Sequence, residues 1–591
     1  MLVFTYDCIV IGTGAAGYNA ACRLKQAGVN VAIVTEGVKT GTSRNTGSDK
    51  QTYYKLGLGG DTLDSVRNMA EDLFRGGCVD GDNALCEAAL SSRCFLNLCE
   101  LGVEFPINRY GEYPGYKTDH DPYARATSAG PLTSKYMTEA LERQAQALGV
   151  EIFDACLAVE ILKDEDGVCG LVCCKTDTGK HFAFRTRDVI MATGGPGGIF
   201  ADSVYPECHT GSTSLALAAG AKAQNLAMWQ FGLASVRPRW NISGTYMQVL
   251  PRVVSIDENG VEREFLAEHF DDVYEALSLL FLKGYQWPFD PKKAEHGSSQ
   301  IDILVYNECT VNRRRVFLDY TKNPFGIDKI DFKRLSAEAY EYLLGAEALF
   351  GTPIERLEKM NMPAVELYRG KGVDLTCEML EIAFCAQHNN GGVAVDAWWQ
   401  SSVRGLFAIG ECAGTHGISR PGGSALNAGQ VGGVRAAQYI SRYPGRLIDE
   451  DSFKQLLAEK GDYKDISDDK SEPYVLDRRI TSAQRRMSDC AGAVRDRKVM
   501  KDVLERVTEE YKACAAVTCV ADYKLRDILL TQAAVLCAMT FEESFDGGDV
   551  VETVLTDTGF VNIVRPVRPI PTDDGVFENI WRGYRENGNI Y

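Results

Sequence analysis

A glycine-rich loop near the start of the chain restricts the possible folds more than any other feature. Residues 12–17 read Gly-Thr-Gly-Ala-Ala-Gly, and they follow an apolar run at 6–11 and precede a helix predicted over 15–26. The first glycine of this pattern permits a tight turn, the second lets the backbone approach a pyrophosphate, and the third lets helix and strand pack closely. With a second strand predicted over 29–35, the segment reads as a β-α-β unit that binds a dinucleotide. The predicted phosphate contacts are Gly12, Gly14, Ala15, Ala16 and Gly17.

An acidic residue stands at the end of the second predicted strand. The carboxylate of Glu36 is placed there to accept hydrogen bonds from ribose hydroxyls. A carboxylate at this point repels a 2′-phosphate, which argues against NADP in this site. The alternative is a tight strand–helix turn without a ligand.

Chain length and net charge limit the number of domains and the classes of binding partner. A chain of 591 residues is too long to fold around one hydrophobic core. At about 150 residues per domain, it is expected to form two to four domains. Lys and Arg number 63 against 81 Asp and Glu, a net charge of −18. Such a surface repels phosphate backbones and anionic lipid headgroups, so neither nucleic acid nor a membrane surface is an expected partner.

Cysteine usage and hydropathy indicate the compartment. The 19 cysteines form no C-x-x-C pair, so they are interpreted as reduced thiols, and no metal site is predicted. No secretory leader is visible, and no apolar run reaches the roughly 20 residues that span a bilayer. We therefore expect a cytoplasmic protein without direct membrane insertion.

Two later segments extend the predicted dinucleotide site. Ala192, Thr193 and Gly194 end an apolar strand, where the backbone can again approach a ligand. Residues 405–411 end a further strand in a glycine and Glu411, whose carboxylate can bond ribityl hydroxyls. Residues 420–427 then start a helix, and its N–H groups suit the anionic edge of a reduced flavin. Together these segments predict FAD, with Ser424, Ala425 and Leu426 at the flavin edge.

Composition also divides the chain. Glycine signals thin out after 234 and return at Gly391, which suggests an insertion into the first domain. The fold class predicted is α/β, with a two-dinucleotide-type FAD-binding Rossmann-like domain, an inserted α+β capping domain and a helical C-terminal domain. The predicted boundaries are 1–234 and 371–445 for the FAD domain, 235–370 for the cap, 446–545 for the helical domain, and 546–591 for an extended tail.

At these motifs the chain resembles the succinate dehydrogenase/fumarate reductase flavoprotein family, which includes L-aspartate oxidase and the adenylylsulfate reductase α subunit. The similar segments are 7–17, 192–195, 210–221, 229–231 and 405–435. His416 to Arg420 resembles the family's H-G-x-x-R, which implies that Arg420 binds a substrate carboxylate and that His416 lies near the flavin. Ser43 matches a serine that touches FAD in the family.

The chain also departs from the family's pattern. The histidine that carries FAD covalently in respiratory relatives falls on Arg44, which implies non-covalent FAD. Residues 48–51 read Ser-Asp-Lys-Gln where the family has A-Q-G-G, and residues 232–235 replace its H-P-T-G. A further family histidine aligns with Gln387, one place before His388. The nearest candidate for the family's catalytic arginine is Arg252.

The predicted catalytic residues are therefore Arg420, His388, Arg252 and His416. His388 is either a proton donor or a satisfied buried histidine. Arg252 is either catalytic or an ion-paired residue of the cap. Tyr246 is a weaker acid candidate, and Arg237 and Arg239 around Pro238 form either a basic lip or a surface loop.

These residues predict hydride transfer between flavin N5 and a small organic acid other than fumarate, reducing a C=C bond or forming one. Electrons are expected to exchange with a separate iron–sulfur or ferredoxin-like partner, with oxygen or a soluble reductant as alternatives. Three other functions stay open: an amino-acid oxidase of the L-aspartate oxidase type, an electron-transfer subunit of an iron–sulfur complex, and a binding module.

Overall fold

The computed structural model describes residues 1–60, 63–118, 120–207, 209–461, 463–466, 477–541 and 547–572. The strands are β1 Leu2–Thr5, β2 Cys8–Ile11, β3 Val31–Val34, β4 Tyr53–Tyr54, β5 Ala126–Thr127, β6 Glu151–Phe153, β7 Cys156–Lys163, β8 Val168–Lys175, β9 His181–Arg185, β10 Asp188–Met191, β11 Ala223–Gln224, β12 Trp229–Ser235, β13 Trp240–Asn241, β14 Arg252–Ile256, β15 Glu262–Arg263, β16 Arg315–Asp319, β17 Leu380–Asn389, β18 Gly392–Val393, β19 Leu406–Ala408, β20 Asp549–Thr556 and β21 Gly559–Pro566.

The α-helices are α1 Ala15–Gln26, α2 Thr42–Asn45, α3 Val66–Arg75, α4 Gly81–Glu100, α5 Thr133–Ala147, α6 Thr213–Ala218, α7 Thr245–Gln248, α8 Val273–Tyr285, α9 Gln300–Tyr306, α10 Ala337–Gly345, α11 Pro353–Gly370, α12 Ser424–Arg442, α13 Glu450–Lys460, α14 Arg478–Cys490, α15 Arg497–Ala513 and α16 Val520–Met539.

A five-stranded parallel sheet forms the centre of the FAD domain. Its strand order is β19-β10-β2-β3-β6, and every residue of β2, β3 and β10 is buried. Continuous burial explains why these strands read as apolar runs rather than alternating ones. The β-α-β unit is confirmed, and α1 occupies the residues predicted for it. Because the strands are parallel, the carboxyl ends of β2 and β10 bring the first glycine loop and Ala192 to the same edge.

A second, mostly antiparallel sheet lies beside it. Its order is β1-β9-β8-β7. Helix α13 covers this sheet, and its Phe453 packs with Leu162 and Cys169. The segment after 446 therefore begins by packing on the FAD domain before the later helices follow.

The cap is built on a six-stranded antiparallel sheet of order β13-β12-β17-β16-β14-β15. Strands β12 and β17 pair along most of their length, so the sheet reaches from 229 to 389, beyond the predicted limits 235 and 370. Composition changes at 235 and 370 mark the inserted residues. They do not show that the flanking strands complete the same sheet.

The predicted extended tail is in part a hairpin. Strands β20 and β21 pair with each other, and β20 continues through β11 to β18. Arg565 donates two hydrogen bonds to the carboxylate of Asp80, at the start of α4. Residues 573–591 of this tail lie outside the described residues.

Helices α14, α15 and α16 lie within the segment 446–545 for which a helical domain is predicted. Within the described part of the chain, no helix combines the length and the apolar character needed to cross a membrane.

Candidate active site

The glycine loop has the geometry that its sequence predicts. Gly12 has φ of +112°, and a Cβ there would lie 2.5 Å from the carbonyl oxygen of Ala192. A Cβ on Gly17 would lie 2.1 Å from the carbonyl oxygen of Gly12. Gly14 precedes α1, and the Ala15 N–H donates to Ser43 Oγ over 3.3 Å. A side chain is excluded at Gly12 and Gly17, which lets the loop backbone and the start of α1, including Ala16, approach a ligand.

A cleft runs along this loop, and half of the predicted cofactor residues line it. Glu36 lies at one end, where its carboxylate pairs with Lys524 Nζ over 2.5 Å. Thr193 Oγ1 is buried and has no hydrogen-bond partner among the described residues. The lining includes Gly12, Gly14, Glu36, Ser43, Ala192, Thr193, Gly194 and His209. The exposed backbone, the open hydroxyl and the acid at the ribose end suit a dinucleotide.

Glu411 continues the line of polar groups beyond the cleft. Its Oε1 accepts hydrogen bonds from the Tyr205 hydroxyl and, over 3.0 Å, from the Asn389 N–H. A Cβ on Gly195 would lie 2.3 Å from this oxygen. Burial raises the pKa of Glu411 to about 7, although the hydrogen bonds and Arg420 lower it. The predicted ribityl contact therefore has a carboxyl group that titrates near neutrality.

Helix α12 begins where the flavin edge is predicted. Gly423 precedes it with φ of +89°, and Ser424, Ala425 and Leu426 form its first turn. Ser424 Oγ is buried and has no partner among the described residues. Gln430 ties this helix to α1 by donating from Nε2 to the Ala15 carbonyl over 3.1 Å. The two helix starts that are to bind the cofactor are thus held together.

His388, His416 and Arg420 come together next to Glu411. The two imidazole rings meet edge to face with centroids 4.8 Å apart, and His388 Nε2 lies 3.9 Å from Glu411 Oε1. His388 Nδ1 is 2.9 Å from Asn390 Oδ1, while Nε2 of both histidines and Nε of Arg420 have no hydrogen-bond partner among the described residues. The unpartnered nitrogens of His388 and Arg420 are available to a ligand at this point.

The charges of this cluster are set by burial. Burial lowers the pKa of His388 well below its usual value, and the positive charge of Arg420 lowers it further. The same two causes lower the pKa of His416 to about 3. Both imidazoles are therefore neutral near pH 7. Burial lowers the pKa of Arg420 to about 10, so its guanidinium keeps its charge.

A β-bulge decides which residue of β17 reaches the cluster. Gln230 of β12 pairs with His388, whereas Phe231 pairs with Ala386, so Gln387 is the extra residue. Gln387 Nε2 donates to the carbonyls of Gly232 and Leu233, over 2.8 and 3.3 Å. A bulge of this kind re-aims side chains. It gives Gln387 a bracing contact inside the cap and leaves His388 in the cluster.

Other predicted residues lie elsewhere. Arg252 pairs with Glu264 over 2.6 Å, with Asp319 over 3.2 Å, and with Glu262, all within the cap. The structure does not bring it into contact with the other three predicted catalytic residues. Tyr246 is buried in the cap, with its ring against Tyr368.

Two further arginines have structural contacts. Arg239 Nη1 donates to the Tyr205 carbonyl over 2.9 Å, which ties the start of the cap to the cluster. Arg44 lies between Glu139 and Glu142, at 3.4 and 2.6 Å.

Sequence reasoning missed Tyr205, His209, Asn390 and Lys524. His209 stacks on Tyr205 at 5.5 Å between centroids, and its Nε2 is 2.9 Å from the Gly195 carbonyl. Lys524 comes from α16, far along the chain from its partner Glu36. No local pattern marks these residues, because their contacts depend on how distant segments meet.

Comparisons with known proteins also indicate an FAD-binding protein. The FAD binding domain family matches residues 7–426. The chain is 26% identical over 443 residues to one subunit of the fumarate reductase (CoM/CoB) of Methanothermobacter marburgensis, covering 73% of this chain and 72% of that one. It is 25% identical over 447 residues to an L-aspartate oxidase of Streptomyces coelicolor, covering 74% and 68%.

Among solved structures, the fold is similar to that of Mycobacterium smegmatis Sdh1 in complex with UQ1. The TM-score is 0.70 at 20% identity, covering 98% of this chain and 97% of the other.

Proposed function

We propose a substrate for this chain, which belongs to the FAD binding domain family. It is an FAD-dependent oxidoreductase of the succinate dehydrogenase, fumarate reductase and aspartate oxidase group. The proposed substrate is a small organic acid other than fumarate. The reaction is the reduction of a C=C bond next to a carboxylate, or its reverse. Electrons are exchanged with a separate redox protein.

The residues present fit FAD. The loop from Gly12 to Gly17 would hold the pyrophosphate, Glu36 the ribose, and the start of α12 the flavin edge, while Arg44 cannot carry a covalent link. Bound FAD supplies two-electron chemistry by hydride transfer. The remaining work, which is to bind, orient and protonate the substrate, belongs to the protein's side chains.

Arg420 carries the proposal. Its guanidinium is charged, its Nε has no hydrogen-bond partner among the described residues, and it borders the neutral His388–His416 pair. A guanidinium binds a carboxylate through two parallel N–H bonds, which fixes the substrate's orientation. Neutral imidazoles beside it can donate hydrogen bonds to a second oxygen without adding charge.

The approach to Arg420 is also basic. Burial lowers the pKa of His120, and the positive charges of Lys293, Arg420 and Lys292 lower it further, against the opposing effect of Asp290. These charged groups therefore lie close enough to His120 to affect its pKa. Clustered positive charge raises the local concentration of an anion and speeds its binding.

The exclusion of fumarate rests on the cap side of the site. Where the resemblance places substrate ligands, this chain has Gly232 and Gln387, and Gln387 is bonded to backbone carbonyls. A Cβ on Gly232 would lie 2.7 Å from Trp287 Nε1. Arg252 is held by three carboxylates of the cap. Gly232, Gln387 and Arg252 therefore offer no free cation to the second end of a short dicarboxylate.

A separate redox partner is inferred from the relatives. Two proteins similar to this chain are named as subunits, of a fumarate reductase and of a succinate dehydrogenase. The second is 23% identical over 536 residues. An iron–sulfur or ferredoxin-like protein is the electron carrier proposed.

A reoxidation screen tests the proposal. The yellow protein is reduced with dithionite without oxygen and mixed with a panel of α,β-unsaturated carboxylates that includes fumarate, and flavin absorbance is followed. We expect a hit other than fumarate. Arg420→Ala should slow reoxidation by that hit at least about 100-fold, because paired bonds to the carboxylate are lost, while FAD stays bound.

Arg334→Ala is the matched control, since Arg334 pairs with Asp272 on the cap surface. It should reoxidise at the rate of the unchanged protein. Activity that survives Arg420→Ala contradicts the site assignment. Fast reoxidation by air with no response to any unsaturated acid would instead favour the amino-acid oxidase alternative.

A further inference from the structure

A small cavity lies behind Arg420, on the side of α4. It has a volume of about 10 Å³ and is lined by Leu73, Val79, Ala84, Glu87, Thr415, His416, Arg420, Pro421 and Ser424. This is close to the roughly 10–15 Å³ that one water molecule needs. An apolar cavity of this size would be a packing defect, but half of this lining is polar.

The polar atoms around the cavity lack partners to an unusual degree. Glu87 Oε1, Thr415 Oγ1 and His416 Nε2 are buried without a hydrogen-bond partner among the described residues, and so are Arg420 Nε and Ser424 Oγ. One unsatisfied buried group costs about 1–3 kcal/mol. Arg420 Nε and Ser424 Oγ lie where substrate and flavin are proposed to bind, so one bridging water is inferred for the other three atoms.

Glu87 is the acid of this group. It is only 3% exposed, sits in the first half of α4, and forms no ion pair with a described residue. Burial raises the pKa of Glu87 to about 8, and the neighbouring Thr415 hydroxyl lowers it by a smaller amount. Near pH 7 its carboxyl group therefore holds a proton.

The titratable groups around Glu87 come from several elements. His416 and Arg420 face the cavity from the loop before α12. Burial chiefly raises the pKa values of Tyr53 of β4 and Cys86 of α4, and an ionised Glu87 would raise both by a smaller amount. Helix α3 contributes Leu73 to the lining, and Asn427 of α12 donates to the Glu87 carbonyl over 3.1 Å.

Because both histidines are neutral, the reaction requires another group that can supply a proton. C=C reduction adds a hydride to one carbon and a proton to the other. His388 and His416 cannot store that proton, because burial and Arg420 lower both pKa values and keep the imidazoles neutral. Glu411 is a carboxyl nearby, but its Oε1 already accepts two hydrogen bonds.

We propose that Glu87 is the proton store of the reaction, connected to the substrate through Thr415, one water and His416. The inference rests on the proposed function for its direction. In C=C reduction the O–H bond of Glu87 breaks and its proton reaches one ring nitrogen of His416. The other ring nitrogen releases a proton to the substrate carbon. Solvent later protonates that second nitrogen while the first returns its proton to the Glu87 carboxylate, which restores the starting tautomer and the acid. His416 carries no net charge before or after the step.

A substrate-free measurement tests the acid itself. Infrared difference spectra of the FAD-loaded protein between about pH 6 and about pH 10 report carboxyl groups that lose a proton. We expect a protonated-carboxyl band that titrates near pH 8 and is absent from Glu87→Gln. A band that is unchanged in Glu87→Gln overturns the proposal, whatever the substrate proves to be.

Kinetics test the connection. With the unsaturated acid found by the reoxidation screen, Glu87→Gln should slow reoxidation about 100-fold or more with little change in KM, since a positioned proton donor contributes roughly 10²–10⁴-fold. It should also remove the fall in rate above about pH 8. Thr415→Val should give the same loss, and Thr415→Ser, which restores the hydroxyl, should recover most of the rate.

Asp188→Asn is the matched control. Asp188 is buried at the amino end of β10, away from the cavity, and burial raises its pKa to about 7. This variant should keep the rate and the pH profile. An unchanged rate and pH profile in both Glu87→Gln and Thr415→Val overturns the connection even if the infrared band is assigned to Glu87.

Discussion

At the scale of single residues, the site depends on glycines that lack a Cβ and on polar atoms that lack a hydrogen-bond partner. Gly12 and Gly17 matter because the space of a Cβ is already filled by backbone. His388 and Arg420 matter because ring and guanidinium nitrogens are left without partners among the described residues. The first property is written into the residue type, and sequence reasoning finds it. The second property depends on which residues meet in the fold, and sequence reasoning does not find it.

Gly17→Ala should remove most of the bound FAD. Its Cβ would lie 2.1 Å from the Gly12 carbonyl oxygen, so α1 must move away from the loop. Overpacking of this kind costs roughly 1–3 kcal/mol, equivalent to about a 5- to 150-fold loss of affinity. The ratio of flavin to protein absorbance after purification measures it. Gly345→Ala, in open space at the end of α10, should keep the full ratio, and equal ratios would refute the prediction.

At the scale of elements, the cap is held by a buried charge pair between two helices. Lys283 of α8 and Asp302 of α9 are both fully buried, with Nζ and Oδ2 2.6 Å apart. Lys283 also donates to the carbonyls of Gln286 and Pro288. Hydrophobic patterning predicts the helices, but it cannot show that a lysine on one will face an aspartate on the other.

Asp302→Asn should destabilise the cap. The change leaves the Lys283 charge buried without its counterion, which costs about 3–5 kcal/mol. The expected result is a lower midpoint of thermal unfolding. Glu71→Gln, in the exposed α3 pair with Arg67, should leave the midpoint nearly unchanged. Similar midpoints for both variants would show that the buried pair contributes little.

At the scale of the whole molecule, buried carboxyls couple stability to pH. Burial raises the pKa of Asp188 to about 7, of Glu411 to about 7 and of Glu87 to about 8. Each such group favours folding in its neutral form. Its contribution is complete below the unfolded pKa of about 4, and it is lost as the pH rises through the folded value.

The FAD-free protein should therefore lose stability between about pH 5 and about pH 8. Asp188→Asn should remove part of this slope, up to about 4 kcal/mol for a shift of about three pKa units, because an amide never ionises. Thermal midpoints of both proteins across the pH range measure it. If the two curves run parallel, Asp188 is not ionising in the folded protein.

The sequence alone determined the cofactor half of this protein. Strand, glycine loop, helix and acid are consecutive in the chain, so Gly12 to Glu36 can be read locally, and the segments at Ala192 and Glu411 follow the same logic. Only the tertiary structure decided the substrate half. A one-residue bulge in β17 put His388 rather than Gln387 beside His416, and three carboxylates from other segments held Arg252 in the cap. The physical reason is range: backbone turns are set by neighbours in sequence, whereas charge, burial and register are set by residues that meet only on folding.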